Sequence, residues 1–280
     1  MKKVIVTGAQ GFLGSALSKI LARDPGVKLI RSTRASGHSS GTFYSCDLSD
    51  PDATQKMLQE VNPDEIYHCA GSVGPDVGRL LQDNLVTTAH LLEGVRLRNP
   101  STRVLLNGSA AAYGKADSAS NPISESLPPR PVTPYGFSKA AQTKLMQYFH
   151  SNHGLHVKEA RIFNLFGPGA PEHLVNGRVE MLIEQYLAGQ VTEIKVGFLG
   201  AKRDYLQVET AADMLVRIMV YGLPGEVYNV GSGKARVVRD LIEEMLKEKG
   251  VPLEALREEG SPAAQPMEIF ADLTKFNQLV

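Results

Sequence analysis

The sequence predicts an α/β fold, a doubly wound parallel sheet with a smaller mixed α/β lobe, and three observations carry that expectation. Short apolar runs alternate with amphipathic stretches from the N-terminus as far as Asn164. A glycine-rich junction joins the first run to the first amphipathic stretch. The alternation then breaks at "LFGPGAPEHLVNG", a loop rich in Gly and Pro. Strands alternating with helices imply right-handed crossovers and a mostly parallel sheet covered on both faces.

Taken in order, "KKVIV" is the first strand, and "GFLGSALSKILAR" is a helix with apolar residues at helical spacing. "VKLIRS" is the second strand, "PDATQKMLQEV" a helix and "DEIYHCAG" the third strand. A long helix around "VTTAHLLEGVRLR" leads to strand "TRVLLNG". After a Pro-rich loop come a helix opening with "PYGFSKAAQTK" and the strand "HVKEARIFN". The main domain is therefore expected over 1–164 plus about 203–222, where "RDYLQVETAADMLVRIMVYG" returns to it as a strand and helix. About 165–202 and 223–280 form the smaller lobe. The chain stops at "DLTKFNQLV" without a finishing element, as a truncated sequence would.

Composition excludes several function classes. The 280 residues suffice for a large core, and 42% hydrophobic with 21% charged residues is ordinary for a soluble globular protein. Thirty basic residues balance thirty acidic ones, so there is no basic field for nucleic acid and no polybasic tail for a membrane. No apolar run approaches the roughly 18 residues that a membrane span needs. "MKKVIVTG" runs straight into a strand and a turn, unlike a signal peptide. Cys46 and Cys69 lack metal-ligand spacing and read as buried thiols. The expectation is a soluble, cytoplasmic protein without a metal site.

Three local patterns carry chemistry. In "VIVTGAQGFLGSAL", Gly8, Gly11 and Gly14 sit where a strand enters a helix. Glycines there allow a tight turn, close backbone approach to a pyrophosphate and close helix–strand packing, with the positive helix end facing the phosphates. A merely structural glycine turn is the alternative. At the end of the second strand, "LIRSTRAS" offers Arg31 and Arg34 and no acid. An acid there binds the ribose 2′-hydroxyl of NAD, whereas a guanidinium suits the 2′-phosphate of NADP. NADP(H) is thus expected over NAD(H), with Arg34 the closer phosphate partner and Ser32, Thr33 and Ser36 as further donors; two solvated arginines are the alternative. In the third pattern, Tyr135 and Lys139 stand at i and i+4, neighbours on one helical face. On spacing alone that pair is equally an exposed polar helix start.

With the glycine turn and Y-x-x-x-K together, the chain resembles the extended short-chain dehydrogenase/reductase family of nucleotide-sugar epimerases, dehydratases and reductases. The resemblance covers nearly the whole chain. "TGAQGFLG" resembles the family's TGxxGFxG and brings Gly8, Gly11, Phe12, Leu13 and Gly14 to the cofactor. "CDLSD" resembles the adenine-contacting pair, Asp47 and Leu48; "YHCAG" resembles the stretch beside the cofactor, with Ala70 and Gly71. "NLVTT" places Asn84 in the family's N-x-x-x-T, and "NGSAAAYG" places Ser109 at the catalytic Ser/Thr position. "RIFNLFGPG" and "KRDYLQV" complete the ordered set. The resemblance implies a Rossmann domain binding NADP(H), Tyr135 as the acid or base, and Ser109 orienting the same substrate oxygen. It also implies that Lys139 lowers the tyrosine pKa and holds the cofactor ribose.

The resemblance further narrows the reaction. Family dehydratases follow the Ser/Thr with an Asp–Glu pair, whereas Ser109 is followed by Ala110, Ala111 and Ala112. The same alanines lack the cysteine of the family's C3/C5 epimerases. Reduction of a keto-sugar and C4 epimerisation with a retained cofactor remain, and an idle NADP-binding protein is a rival of another class. The arginines and the later stretches "EIKVGFLGAKRDYLQV" and "GEVYNVGSGKARVVRDLIEEML" look most like GDP-4-keto-6-deoxymannose reductases. The implied partner is a nucleotide-diphosphate sugar, met by Asn164, Asn176 and Arg203, with His173 or Arg178 nearby. A second phosphate-binding arginine belongs where Ser261 stands, and Arg257 is out of register with it. The family's dimer also implies a homodimer through a four-helix bundle.

Overall fold

The computed structural model describes residues 1–34, 42–116, 118–259 and 268–280. The strands are β1 (Lys2–Thr7), β2 (Val27–Thr33), β3 (Phe43–Ser45), β4 (Glu65–His68), β5 (Arg103–Ser109), β6 (Val157–Ile162) and β7 (Asn164–Phe166). They continue as β8 (Ile194–Val196), β9 (Lys202–Arg203), β10 (Tyr205–Gln207), β11 (Val227–Val230), β12 (Arg236–Val237), β13 (Leu256–Glu258) and β14 (Glu268–Ile269). The helices are α1 (Phe12–Leu21), α2 (Pro51–Val61), α3 (Val77–Leu80), α4 (Thr87–Arg98), α5 (Pro134–His153), α6 (Val175–Leu187), α7 (Val208–Tyr221), α8 (Val238–Glu248) and α9 (Thr274–Asn277).

Seven strands form one parallel sheet in the order β11-β6-β5-β4-β1-β2-β3. The chain reverses its direction of travel between β1 and β4, so a crevice opens beyond the carboxyl ends of those strands. Successive β1 residues feed opposite cores, as the two-residue period requires. Val4 and Val6 pack with α1 and α7, while Ile5 packs with α2 and α4. Strands covered on both faces are expected to be continuously apolar. Strand β6 departs from this, burying Lys158, Glu159 and Arg161. Each charge has partners: Lys158 Nζ donates to the Met219 carbonyl at 3.1 Å, at the negative end of α7. Glu159 accepts from Thr143 (2.7 Å) and Arg161 (3.2 Å), and the Arg161 guanidinium lies 4.6 Å from the Tyr113 ring centre.

The structure changes three expectations. The helix around Thr87 begins earlier, as α3, capped by Asp76, and passes through a π turn at Leu81–Val86 into α4. Strand β10 pairs with β7 instead of joining the main sheet, although α7 does pack on that sheet against α1. Strand β11, expected in the smaller lobe, is the outermost strand of the main sheet beside β6. The rest of the lobe is built from α6 and α8, whose Val179, Leu182, Ile183, Ile242 and Leu246 share one core. Strand β9 runs between β12 and β14. Among the described residues, no helix is long and apolar enough to cross a membrane.

Candidate active site

The crevice holds two adjoining cavities of about 350 and about 630 Å³ that share Gly11, Cys69, Ala70 and Gly71 as lining. A separate groove of about 570 Å³, lined by Lys3, Tyr44 and Lys56 among others, shares none of their residues. The walls fit an extended dinucleotide because side chains are missing where the backbone closes in. Gly8 has φ +61°, and a Cβ there would stand 2.7 Å from the Ala70 nitrogen. A Cβ on Gly14 would stand 2.2 Å from the Gly8 carbonyl oxygen, so its absence lets α1 seat against the turn. The start of α1 carries neither a capping side chain nor an acid in its first turn, and Gly11, Phe12 and Leu13 line the larger cavity.

The smaller cavity is lined by Ser32, Thr33, Arg34, Asp47, Leu48 and Asp83. Asp47 accepts from the Ser49 backbone N–H at 2.9 Å, which holds its carboxyl below the usual range. Arg34 stands 3.8 Å from Asp83. Arg31 does not line the cavity; its guanidinium lies 5.5 Å from the Phe43 ring centre, on the strand beside it. Ser36 and Ser261 lie outside the described residues. Asn84 is fully buried behind Gly71. Its amide accepts from the Ser72 N–H at 2.8 Å and donates to the Ser72 carbonyl at 3.0 Å and Ser138 Oγ at 2.9 Å. It shapes the 70–72 strip rather than lining either cavity.

The larger cavity brings Ser109, Tyr135 and Lys139 together. Thr133 caps α5 by accepting from the Gly136 N–H at 3.0 Å, and Pro134 occupies the first turn. Gly136 lies so close to the turn after β5 that a Cβ would stand 2.3 Å from the Ala111 carbonyl oxygen. That approach puts Tyr135 beside Ser109. Burial raises the Tyr135 pKa, and the Ser109 hydrogen bond pulls it partly back. Lys139 Nζ donates to the Asn107 carbonyl at 2.8 Å and to Gln142 Oε1 at 3.0 Å, and stands 6.0 Å from the Tyr135 ring centre. Burial pushes this lysine down to about 8 against the opposing pull of Glu159. Desolvation sets the direction of the phenol's shift, and Ser109 is the group that opposes it.

Asn164 and Arg203 line the same cavity, as do His173 and Leu174. Asn164 Nδ2 donates to the Asp204 carbonyl at 3.0 Å. Arg203 donates to the Lys202 carbonyl at 2.9 Å, and burial lowers its pKa. Asn176 and Arg178 are not part of the lining; Asn176 is buried in α6, with its Oδ1 lacking a hydrogen-bond partner among the described residues. The residues beneath the site that pattern reading missed are His68 and Gln142, both fully buried. Thr88, joined to them, is the threonine of N-x-x-x-T, which was the available signal. Among the described residues lining the larger cavity there is no Asp or Glu.

The chain is 31% identical over 267 residues to a GDP-6-deoxy-D-mannose reductase of Pseudomonas aeruginosa, covering 92% of this chain and 83% of that protein. It is 30% identical to a UDP-glucose 4-epimerase of Mycolicibacterium smegmatis, over 85% of this chain and 80% of that one. The structure of RMD from Pseudomonas aeruginosa complexed with NADPH superposes with a TM-score of 0.87 at 29% identity, covering 100% of this chain and 92% of that chain. Residues 4–231 match the NAD dependent epimerase/dehydratase family, and with the parallel sheet and glycine turn in place the chain belongs to that family, as an NAD(P)-dependent enzyme of the extended short-chain dehydrogenase/reductase type.

Proposed function

We propose that the protein is an NADPH-dependent reductase of the 4-keto group of a nucleotide-linked 6-deoxyhexulose, of the GDP-4-keto-6-deoxymannose kind. The observation that carries this reading is a cavity where Ser109, Tyr135 and Lys139 converge with no carboxylate among its described lining residues. Elimination of water from a sugar calls for an acid–base pair of that kind, whereas carbonyl reduction needs one proton donor. When bound, NADPH supplies the hydride that reaches the carbonyl carbon. Tyr135 supplies the proton to the carbonyl oxygen, and its raised pKa keeps it protonated at neutral pH, ready to give. Ser109 hydrogen-bonds the same oxygen as charge develops there.

Gly8, Gly11, Gly14 and the start of α1 would hold the pyrophosphate, Asp47 and Leu48 the adenine, and Arg34 the 2′-phosphate. Lys139 has two N–H groups committed to protein and its third available to a cofactor ribose in the cavity it lines. Arg203 would meet the diphosphate of the substrate, and the Asn164 loop its sugar. C4 epimerisation with a retained cofactor is the second reading, because the same residues serve it and the ion pair of Arg34 with Asp83 tempers the NADP preference.

The test is NADPH oxidation with GDP-4-keto-6-deoxymannose. Tyr135→Phe is expected to lower turnover by about 10²–10⁴-fold with NADPH binding retained. Tight binding without turnover would reject this substrate and send the test to other nucleotide sugars and to an epimerase assay.

A further inference from the structure

A chain of buried hydrogen bonds beneath the crevice runs from Lys139 to the strand that carries the glycine turn. Thr7, His68, Thr88 and Gln142 are fully buried and Lys139 is 5% exposed, at the cavity it lines, so the links between them are closed to water. Lys139 Nζ donates to Gln142 Oε1 at 3.0 Å, and Gln142 Nε2 donates to Thr88 Oγ1 at 3.0 Å. Thr88 Oγ1 also donates to the Asn84 carbonyl at 2.6 Å and lies 3.1 Å from His68 Nε2. On the far side of the ring, His68 Nδ1 lies 2.8 Å from Thr7 Oγ1, which accepts from the Ala70 N–H at 3.2 Å.

Donor counting gives every proton in this chain one place. An ammonium only donates, so the Gln142 amide presents its oxygen to Lys139 and its NH₂ to Thr88. The Asn84 carbonyl only accepts, so the single Thr88 hydroxyl proton points there. The Thr88 oxygen must then accept from His68, which fixes the proton on Nε2. Burial, with Lys139 nearby, pushes the imidazolium down to about 3, so the ring is neutral and Nδ1 is bare. Nδ1 therefore accepts from the Thr7 hydroxyl. Thr7 immediately precedes Gly8, and Gly8 packs on Ala70, so the two ends of the chain are the two walls of the crevice.

We propose that His68 is a positioning residue, locked as its Nε2–H tautomer, that ties the glycine turn to Lys139 through Thr88 and Gln142. The arrangement holds the lysine in register with the pyrophosphate-binding wall although His68 touches neither substrate nor cofactor. The inference rests on the reading of Lys139 as a cofactor ligand.

The first readout needs no variant. Nitrogen NMR of the ligand-free chain is expected to show His68 protonated at Nε2, bare at Nδ1 and unchanged from about pH 5.5 to 8.5. The second compares Thr88→Val, which keeps the shape and removes the hydroxyl, with Thr88→Ser, which restores it. NADPH affinity, read by cofactor fluorescence, should weaken about tenfold in the valine variant and stay within about twofold in the serine variant. A merely structural role would lower the melting temperature of Thr88→Val and leave its NADPH affinity unchanged; that result, or an Nδ1–H tautomer, would overturn the proposal. A wild-type chain that binds no NADPH would instead overturn the cofactor reading of Lys139, and the role given to His68 with it.

Discussion

Lys139 keeps its charge inside the protein, with two N–H groups given to the Asn107 carbonyl and the Gln142 amide, and that setting makes its protonation visible in the working pH range. Its pKa is lowered to about 8, so the ammonium is present below that pH and lost as the pH rises through it. NADPH-linked reduction should therefore decline on the alkaline side with a midpoint near 8, read from kcat/KM against pH; a profile flat to about pH 10 would place control elsewhere. A second residue prediction concerns cofactor choice. Arg34 lines the smaller cavity whereas Arg31 rests against Phe43, so Arg34→Ala should cut the preference for NADPH over NADH by about tenfold, and Arg31→Ala should change it little. Competitive binding of the two cofactors measures both. The direction of Arg31 was not legible in the sequence, because it depends on β3, a strand of three residues too short for periodicity to reveal. Ser109, Tyr135 and Lys139 were legible because their spacing and neighbours survive in linear order. The rise of the Tyr135 pKa was not, since burial belongs to the fold and not to the motif.

Helix α5 shows how an element delivers two functional side chains at once. Its start is written in the sequence as Thr133 and Pro134, a cap and a first-turn residue, and its end as Gly154 at φ +67°. One face then buries Ser138, Lys139, Gln142, Thr143, Met146 and Phe149, mixing polar links with core contacts. What seats the helix is Gly136 against Ala111. Gly136→Ala should push the first turn of α5 away from the turn after β5, separating Tyr135 from Ser109. The expected outcome is at least about tenfold lower turnover together with weaker NADPH binding, since Lys139 rides on the same end of the helix. Steady-state kinetics beside cofactor titration checks it. The α3–π–α4 helix was only half legible: apolar spacing reveals α4, but the π turn shifts the register and hides the earlier start at Val77.

Across the whole molecule, the alternation of strand and helix made the parallel sheet readable as far as β6, apart from the short edge strand β3. The boundary beyond it was misplaced because β11 and β10 are short strands whose partners only the fold decides. The same view bears on assembly. Leu97 on α4, with Phe137 and Tyr148 on α5, is about half exposed, and we propose that these helices form the homodimer that the family resemblance implies. Leu97→Glu combined with Tyr148→Glu should shift sedimentation to the monomer; an unchanged sedimentation coefficient would reject that interface. The outermost strand has a consequence of another kind, for the order in which a growing chain can fold. Because β11 is laid beside β6 only after α6, β7 to β10 and α7 have been made, a ribosome must release about 230 residues before the sheet is closed on that side. Until then β6, with its buried Lys158, Glu159 and Arg161, is an open edge whose unpaired backbone groups invite association. Charged side chains on an open edge disfavour pairing with another chain, and β6 carries three of them.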